Sequence, residues 1–415
     1  MMTTFISLII IIGSTIAFLR NGRLSLVVVM PIFFLQSVQI GCLYIRARNG
    51  LLISGGGIPE TFVTNEIAEI VSHKLHQASL AYILGVFLAT LIFPRINYRF
   101  DLKLFDYAIS NKYLLNLVSF YLIFTNIFII LNLHELWKRN TYLYVSSGSL
   151  LAALRYLIPF ISLSSIYFIF NYPMAKFRLI LVISETLFIE FSSASRSFAI
   201  IVSALFFMFF IRFKNLFVRA LVGSLGILCT LLSFKFVILS RGLFEHGFSA
   251  YFNFSNASNT VETTSVFGNY FSIIPITYLG LSLDTPQGYL VASFNPLLGK
   301  WTNWYQIASN LNVNPWTPSG ALAQIANLGQ IQSIMVWILL GCIFQFVGYL
   351  AQKSKLGGIA VVVCTIFSFN ACLQYLQYSL RPGMRFVYAA MIFLALTKAL
   401  TKPLFASRRT RSLKT

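Results

Sequence analysis

The sequence predicts an all-α polytopic membrane protein with about 11 transmembrane helices, in a range of 10 to 12, and one large periplasmic loop. Of its 415 residues, 57% are hydrophobic, 16% aromatic and only 10% charged, and the mean hydropathy is +0.78. Apolar runs of spanning length recur along the chain, and basic residues collect between them mainly on one side. Soluble domains are far less apolar, so this composition excludes them.

The distribution of charge and the positions of the cysteines argue against a nucleic-acid-binding protein and against a cysteine metal site. The charge of +20 comes from Lys and Arg in short segments between apolar runs, where an anionic cytoplasmic leaflet retains them, so we do not predict nucleic-acid binding. The five cysteines lie in apolar stretches without metal-ligand spacing and are interpreted as core residues.

Eleven apolar runs are candidate spans. The first lacks the basic region and cleavage site of a signal peptide and is predicted to be retained. The sixth and seventh are short and joined by residues 192–197, as either a tight helical hairpin or two spans that end below the outer surface. The runs are residues 2–19, 24–44, 78–94, 113–133, 151–171, 179–192, 197–211, 220–239, 333–351, 357–378 and 385–401.

Basic residues predict the orientation. Nineteen of the 31 Lys and Arg residues, but only two of the 11 Asp and Glu residues, fall on one set of connections. That set is predicted to be cytoplasmic, with the N-terminus periplasmic and the C-terminus cytoplasmic. The chain then divides into N-terminal helices (1–239), a large periplasmic loop (240–332), C-terminal helices (333–401) and a basic cytoplasmic tail (402–415).

The first outer segment, residues 45–77, contains Gly55–Gly57 and then a polar stretch with two histidines. His73 and His76 share a helical face, but a third ligand at diagnostic spacing is missing, so we predict an interfacial helix and no metal site. The triple glycine follows no predicted strand and is interpreted as a turn and not a nucleotide-phosphate loop.

The large outer segment combines amides with aromatic rings. Amides match sugar hydroxyls and aromatic faces pack on pyranose rings, which predicts sugar binding. The alternative is that the aromatic residues form the membrane-interface belt and the asparagines mark turns. The candidate sugar-binding residues are Tyr270, Trp301, Trp304 and Trp316.

Several arginines lie on the predicted outer side of the membrane, where the charge pattern predicts few basic residues. A guanidinium beside a membrane is costly to desolvate and suits phosphate oxygens, so these arginines predict a site for a lipid-linked phosphate. Internal pairing, such as Glu190 with Arg196, is the alternative. Pro382 and Gly383 are predicted to break the helix and to direct the last two arginines at a central cavity. The candidates are Arg155, Arg196, Arg241, Arg381 and Arg385.

This arrangement resembles the Wzy-type O-antigen and oligosaccharide repeat-unit polymerases. The likeness rests on Arg196 after the short sixth span, the large outer loop, its exit through 315–329, and the arginine pair before the last span. It covers about residue 180 to the end, and the first half matches only as a generic bundle. Asn327 stands where the family often has an acidic residue, so 318–329 is not predicted to be catalytic.

The resemblance implies a GT-C-like fold and a bacterial inner-membrane glycosyltransferase that needs neither cofactor nor nucleotide sugar. It would join undecaprenyl-diphosphate-linked oligosaccharides at the periplasmic face, with membrane lipids and a chain-length regulator as partners. The arginines would bind the diphosphate. A base would activate the acceptor hydroxyl, and its candidates are Glu190, His246, Glu262 and Asp284.

Three alternatives stay open. An O-antigen ligase would have similar topology and donor, although its expected histidine is missing from 300–332. A lipid-linked oligosaccharide transporter or flippase would show repeated halves and polar residues through both leaflets. An assembly protein without chemistry would leave the outer arginines unexplained.

Overall fold

A computed structural model describes residues 25–55, 58–93, 271–297, 299–314, 317–354 and 358–409, together with isolated residues elsewhere. The described elements are α1 (Leu26–Ala47), β1 (Leu51–Gly55), β2 (Ile58–Val63), α2 (Asn65–Ile92), α3 (Ile273–Gly280), α4 (Tyr289–Phe294), α5 (Trp304–Ser309), β3 (Asn312–Asn314), β4 (Thr317–Pro318), α6 (Gly320–Ala326), α7 (Gln330–Lys353), α8 (Gly358–Gln377) and α9 (Leu380–Arg409).

The chain forms two compact units. One combines residues 1–104 with 268–415, and the other covers 105–267. The first unit therefore contains residues from both ends of the sequence. It combines helices that the sequence prediction assigned to separate N-terminal and C-terminal groups. The second unit contains only isolated described residues, so the predicted spans at 113–133, 151–171, 179–192, 197–211 and 220–239 lie largely outside the described part, as does the span at 2–19.

Three helices among the described residues are long and apolar enough to cross a membrane: α1, α2 and α7. A shorter apolar stretch, Val363–Leu376, lies within α8. These helices confirm the prediction of a helical membrane protein. These four helices overlap the runs predicted at 24–44, 78–94, 333–351 and 357–378.

From Leu80 to its end, α2 is apolar on both of its faces. The buried face carries mostly small residues, whereas the opposite face exposes large ones. A water-facing helix would carry polar residues there, so this pattern indicates a surface in contact with lipid. The exposed residues are Leu80, Leu84, Phe87, Leu88, Leu91 and Ile92.

Glycines bring α2 and α7 close together. A Cβ at Gly85 would overlap the backbone of Ile338, and a Cβ at Gly341 would overlap the carbonyl of Tyr82. Farther along, the Phe93 ring lies 5.5 Å from the ring of Phe346, so the helices run in the same direction. Membrane helices commonly associate through such small residues because burial of apolar surface supplies little drive within lipid.

Polar side chains link α1 to α2 inside the unit. Gln36 Nε2 donates to Ser79 Oγ at 2.9 Å, and Gln39 Nε2 donates to Ser72 Oγ at 2.6 Å. All four residues are buried. Because an amide in an apolar interior must find a partner, these bonds fix the relative position of the two helices.

A β-hairpin joins α1 to α2. β1 and β2 pair antiparallel, and Gly55 lies opposite Ile58, with Gly56 and Gly57 outside the described residues. Thr64 caps α2 by accepting a hydrogen bond from the Ile67 N–H at 3.3 Å. The polar stretch predicted as an interfacial helix is helical, but it is the N-terminal part of α2 and continues directly into the apolar run, so His73 and His76 lie on α2 itself.

We call the hairpin end the end of this unit where α1 ends and α2, α7 and α9 begin. The segment from α3 to α6 packs there: α3 contacts α2, β2 and α6, and α6 contacts α8 and α7. Part of the predicted outer loop is thus helical and belongs to the same unit as α1, α2 and α7.

The break before the last helix is not where the sequence predicts it. α8 ends at Gln377 and α9 begins at Leu380, so Pro382 and Gly383 lie in the first turn of α9. Proline is tolerated there because first-turn N–H groups have no intrahelical acceptor. α9 also continues to Arg409, into the segment predicted as a tail.

We expect Gly85→Val to destabilise this unit by about 1–3 kcal/mol, because the added side chain meets the α7 backbone and not a flexible side chain. Leu84→Val, on the exposed face of the same helix, is the matched control. Thermal unfolding in detergent, followed by fluorescence-detected size exclusion, measures the difference. Equal midpoints for both variants would contradict the packing.

Candidate functional site

α6 lies buried at the hairpin end, and Gly320 makes its position possible. Gly320 has φ +76°, and its N–H donates to the Tyr378 carbonyl at 3.1 Å. An added Cβ would come 2.7 Å from the carbonyl oxygen of Leu376, at the end of α8. Only glycine adopts this conformation without strain and also allows such a close approach.

Gln324 connects three parts of the hairpin end. Its Oε1 accepts a hydrogen bond from the Tyr289 hydroxyl at 2.8 Å. Its Nε2 donates to Ser319 Oγ at 3.1 Å and to the Tyr378 carbonyl at 3.2 Å. Burial raises the pKa of the Tyr289 phenol, which keeps the hydroxyl protonated as a donor. One buried amide thus links α4, α6 and the α8–α9 junction.

Asn327 and Thr285 hold the turn that carries Asp284. Asn327 Nδ2 donates to the carbonyls of Gly280 and Leu283, at 2.8 and 2.5 Å. Thr285 Oγ1 donates to the Gln324 carbonyl at 2.9 Å. A carboxylate in place of Asn327 would have no hydrogen to donate to these two carbonyls. Asp284 itself is exposed on this fixed turn.

Arg381 is buried and ties α9 to the α4–α5 segment. Only 1% of its surface is exposed. One terminal nitrogen (Nη1) donates to the Ala292 carbonyl at 2.5 Å and to Thr302 Oγ1 at 2.7 Å, and the other (Nη2) donates to the Leu297 carbonyl at 2.5 Å. The guanidinium carbon lies 5.1 Å from the centre of the Trp304 ring. In this structure the guanidinium binds the protein's own backbone.

Arg385 lies one turn farther along α9 and is exposed. Its charge is close enough to act on Arg381. Within the ranges that the structure describes, neither guanidinium forms an ion pair with a carboxylate, and the salt bridge found there joins Arg46 to Glu69. The two arginines therefore form a positive site that attracts anions, with Arg385 as its accessible member.

The predicted sugar-binding tryptophans differ in exposure. Trp304 is half-buried beneath Arg381, and its ring centre lies 6.4 Å from that of Tyr289. Trp301 is 64% exposed and Tyr305 is 68% exposed. Trp304 thus contributes to the packing around Arg381, whereas Trp301 and Tyr305 present rings at the surface.

The structure brings Arg381, Arg385 and Trp304 together and holds Asp284 on the turn anchored to α6. The other predicted site residues lie outside the described part of the chain: Arg155, Glu190, Arg196, Arg241, His246, Glu262, Tyr270 and Trp316. Among the described residues, no group of three His, Cys, Asp or Glu side chains is placed to hold a metal ion.

The sequence analysis gave no role to Tyr289, Gln324 or Tyr388, and it considered Asn327 only as a departure from an acidic residue. Tyr388 donates its hydroxyl to the Phe294 carbonyl, one turn beyond Arg385. The sequence gives a weak indication of the role of Gln324, because it is the one long polar side chain among the small and apolar residues of 320–326. The roles of the other residues depend on carbonyls distant in sequence, which no local pattern reveals.

Comparisons with known proteins identify no relative. No family model matches the chain, and neither a curated protein nor a solved structure is significantly similar to it.

We expect Arg381→Gln to release the α4–α5 segment and to destabilise the unit by about 3 kcal/mol, since a hydrogen bond from a charged group contributes about 1.5–3 kcal/mol. Arg385→Gln, which loses an exposed guanidinium, is the control for charge. Limited proteolysis with mass spectrometry across residues 289–305, together with thermal unfolding, measures both effects. Equal protection of that segment in the two variants would contradict an anchoring role for Arg381.

We expect Gln324→Leu to destabilise the unit by about 1–3 kcal/mol, because the Tyr289 hydroxyl would stay buried without its acceptor. Adding Tyr289→Phe removes that hydroxyl and should restore part of the loss. Unfolding midpoints of both single variants and the double variant give the coupling. Additive effects would argue against the Tyr289–Gln324 hydrogen bond.

Proposed function

We propose that this chain is an O-antigen polymerase of the Wzy type, a glycosyltransferase of the bacterial inner membrane. It transfers glycan repeat units between undecaprenyl-diphosphate-linked oligosaccharides at the periplasmic face. In this proposal the hairpin end faces the periplasm, which agrees with the basic residues predicted to be cytoplasmic. The resemblance noted in the sequence supplies the reaction, and the positive site at the hairpin end is the observation that carries it.

The arginine pair supports the choice of a diphosphate substrate. Arg381 is fixed by three hydrogen bonds, and Arg385 is exposed one turn away. Fixed positive charge needs no reorganisation when an anion forms, which makes it effective for stabilising a leaving group. Because a guanidinium presents paired donors, Arg385 suits phosphate oxygens better than a lysine would.

In the proposed reaction, the acceptor hydroxyl oxygen forms a bond to the anomeric carbon of the donor sugar. The bond between that carbon and the diphosphate oxygen breaks, and the diphosphate leaves with the electron pair. Arg385 stabilises the charge that develops on the diphosphate. Arg381, buried one turn earlier in α9, adds to the positive potential. The hydroxyl proton passes to a base.

Asp284 is the described candidate for that base. It is exposed on a turn held by Asn327 and Thr285, so its position is defined by the α6 scaffold. A carboxylate on a rigid turn loses little entropy when it orients a hydroxyl. Glu190, His246 and Glu262 remain alternative candidates, and Arg155, Arg196 and Arg241 remain candidates for binding the diphosphate.

We expect Arg385→Ala to lower polymer formation about 100-fold or more, as the loss of one preorganised donor does elsewhere. Arg385→Lys should recover part of the activity, because charge returns without the paired donors. Arg48→Ala is the matched control, since Arg48 is exposed at the hairpin end of α1, outside the arginine pair. The readout is the lipopolysaccharide ladder of a deletion host that carries each variant.

Deletion of the chain should leave lipid A-core with a single repeat, and the wild-type chain should restore the ladder. Bare core, with polymer accumulated on the lipid carrier, would instead identify a ligase. An unchanged ladder on deletion would overturn the proposal. Equal loss in Arg48→Ala and Arg385→Ala would show a general effect of charge and remove Arg385 from the site.

A further inference from the structure

The segment from α4 to α5, residues 289–309, lies beside the beginning of α9. Arg381 holds the carbonyls of Ala292 and Leu297, and Tyr388 donates to the carbonyl of Phe294. Tyr388 is eight residues into α9, about 12 Å from its start at 1.5 Å per residue. The apolar run of α9 has begun by then, at Phe386. The segment thus lies level with the beginning of this apolar run.

Large apolar and aromatic side chains project from this segment. Val291 is 75% exposed and Leu297 is 49% exposed, in addition to Trp301 and Tyr305. A surface in water rarely exposes so many large apolar residues within one short stretch. Tryptophan and tyrosine are also the residues enriched where a protein crosses from water into the acyl chains.

The charges match a phospholipid surface. Residues 289–309 contain no Asp or Glu, and exposed Arg385 lies beside them on α9. Arg385 can reach lipid phosphate while the neighbouring apolar side chains contact acyl chains. The exposed apolar side chains of α7 also begin in its first turn, at Ile331, so apolar surface reaches the hairpin end on a second helix.

We infer that residues 289–309 form an interfacial element that rests on bilayer phospholipid at the hairpin end. Val291, Leu297 and Trp301 contact the boundary between headgroups and acyl chains. The inference requires that α1, α2 and α7 span a membrane, and it is independent of the proposed glycan chemistry. It also changes the role of Trp301, which binds the membrane in this arrangement and not a sugar.

Spin labels on the full chain in phosphatidylcholine–phosphatidylglycerol vesicles test the inference. Val291→Cys and Trp301→Cys carry the labels, and Gln287→Cys and Asn310→Cys are the controls, because both are exposed polar residues that flank the segment. The labelled parent chain supplies the background from the native cysteines. Collision rates with molecular oxygen, which partitions into acyl chains, and with a water-soluble nickel chelate give the accessibility of each label.

We expect the ratio of oxygen to nickel accessibility to be several-fold higher at positions 291 and 301 than at positions 287 and 310. Equal ratios at all four positions would overturn the inference and leave the segment in water. Labels at 291 and 301 that neither reagent reaches would also overturn it, because another protein surface would then cover this face. Either result leaves the ladder experiment on Arg385 unaffected, so the two proposals fail separately.

Discussion

The hairpin end depends on the hydrogen bonds of Arg381. A buried guanidinium has a large desolvation cost, and here two backbone carbonyls, a hydroxyl and the Trp304 ring offset it. Because the acceptors lie between residues 292 and 302, the same contacts that stabilise the charge also fix the course of the chain beside α9. Removal of the arginine would leave those carbonyls with fewer donors in a buried region.

Gln324 and Asn327 extend this principle across α6. Both use neutral amides to satisfy backbone carbonyls or hydroxyls that helices and strands leave without partners. Amides carry a donor and an acceptor on one side chain, so they can join elements that no regular hydrogen-bond pattern connects. As a result, a segment made of short helices and turns is held in one arrangement.

Hydropathy predicts the long apolar helices of the described residues, but not the short helices α3 to α6 or the site. Runs of apolar residues predict α1, α7 and α8 because a helix in lipid needs a minimum apolar length, which hydropathy measures directly. The same measure places the start of α2 too late, because its polar first turns continue beyond the apolar run. The prediction of a helix break at Pro382 is wrong because proline, although unfavourable inside a helix, is tolerated in its first turn.

Arg381 shows what cannot be predicted from the sequence alone. Its type and position predict a phosphate ligand, and the residues that it binds lie between 79 and 89 positions away along the chain. No local pattern distinguishes an arginine that binds carbonyls from one that binds a substrate. Arg385 lies only four positions farther along the sequence but is exposed, and only the fold separates the two.

The contact between α2 and α7 has a consequence for how the protein is made. Cys342 donates to the Gly85 carbonyl, and these residues are 257 positions apart. The ribosome therefore releases α2 long before its partner exists. Until α7 is synthesised, the glycine face of α2 lacks this partner. The α1–α2 pair is linked by its own hydrogen bonds between side chains. The pair can therefore assemble first, and α7 packs against it later.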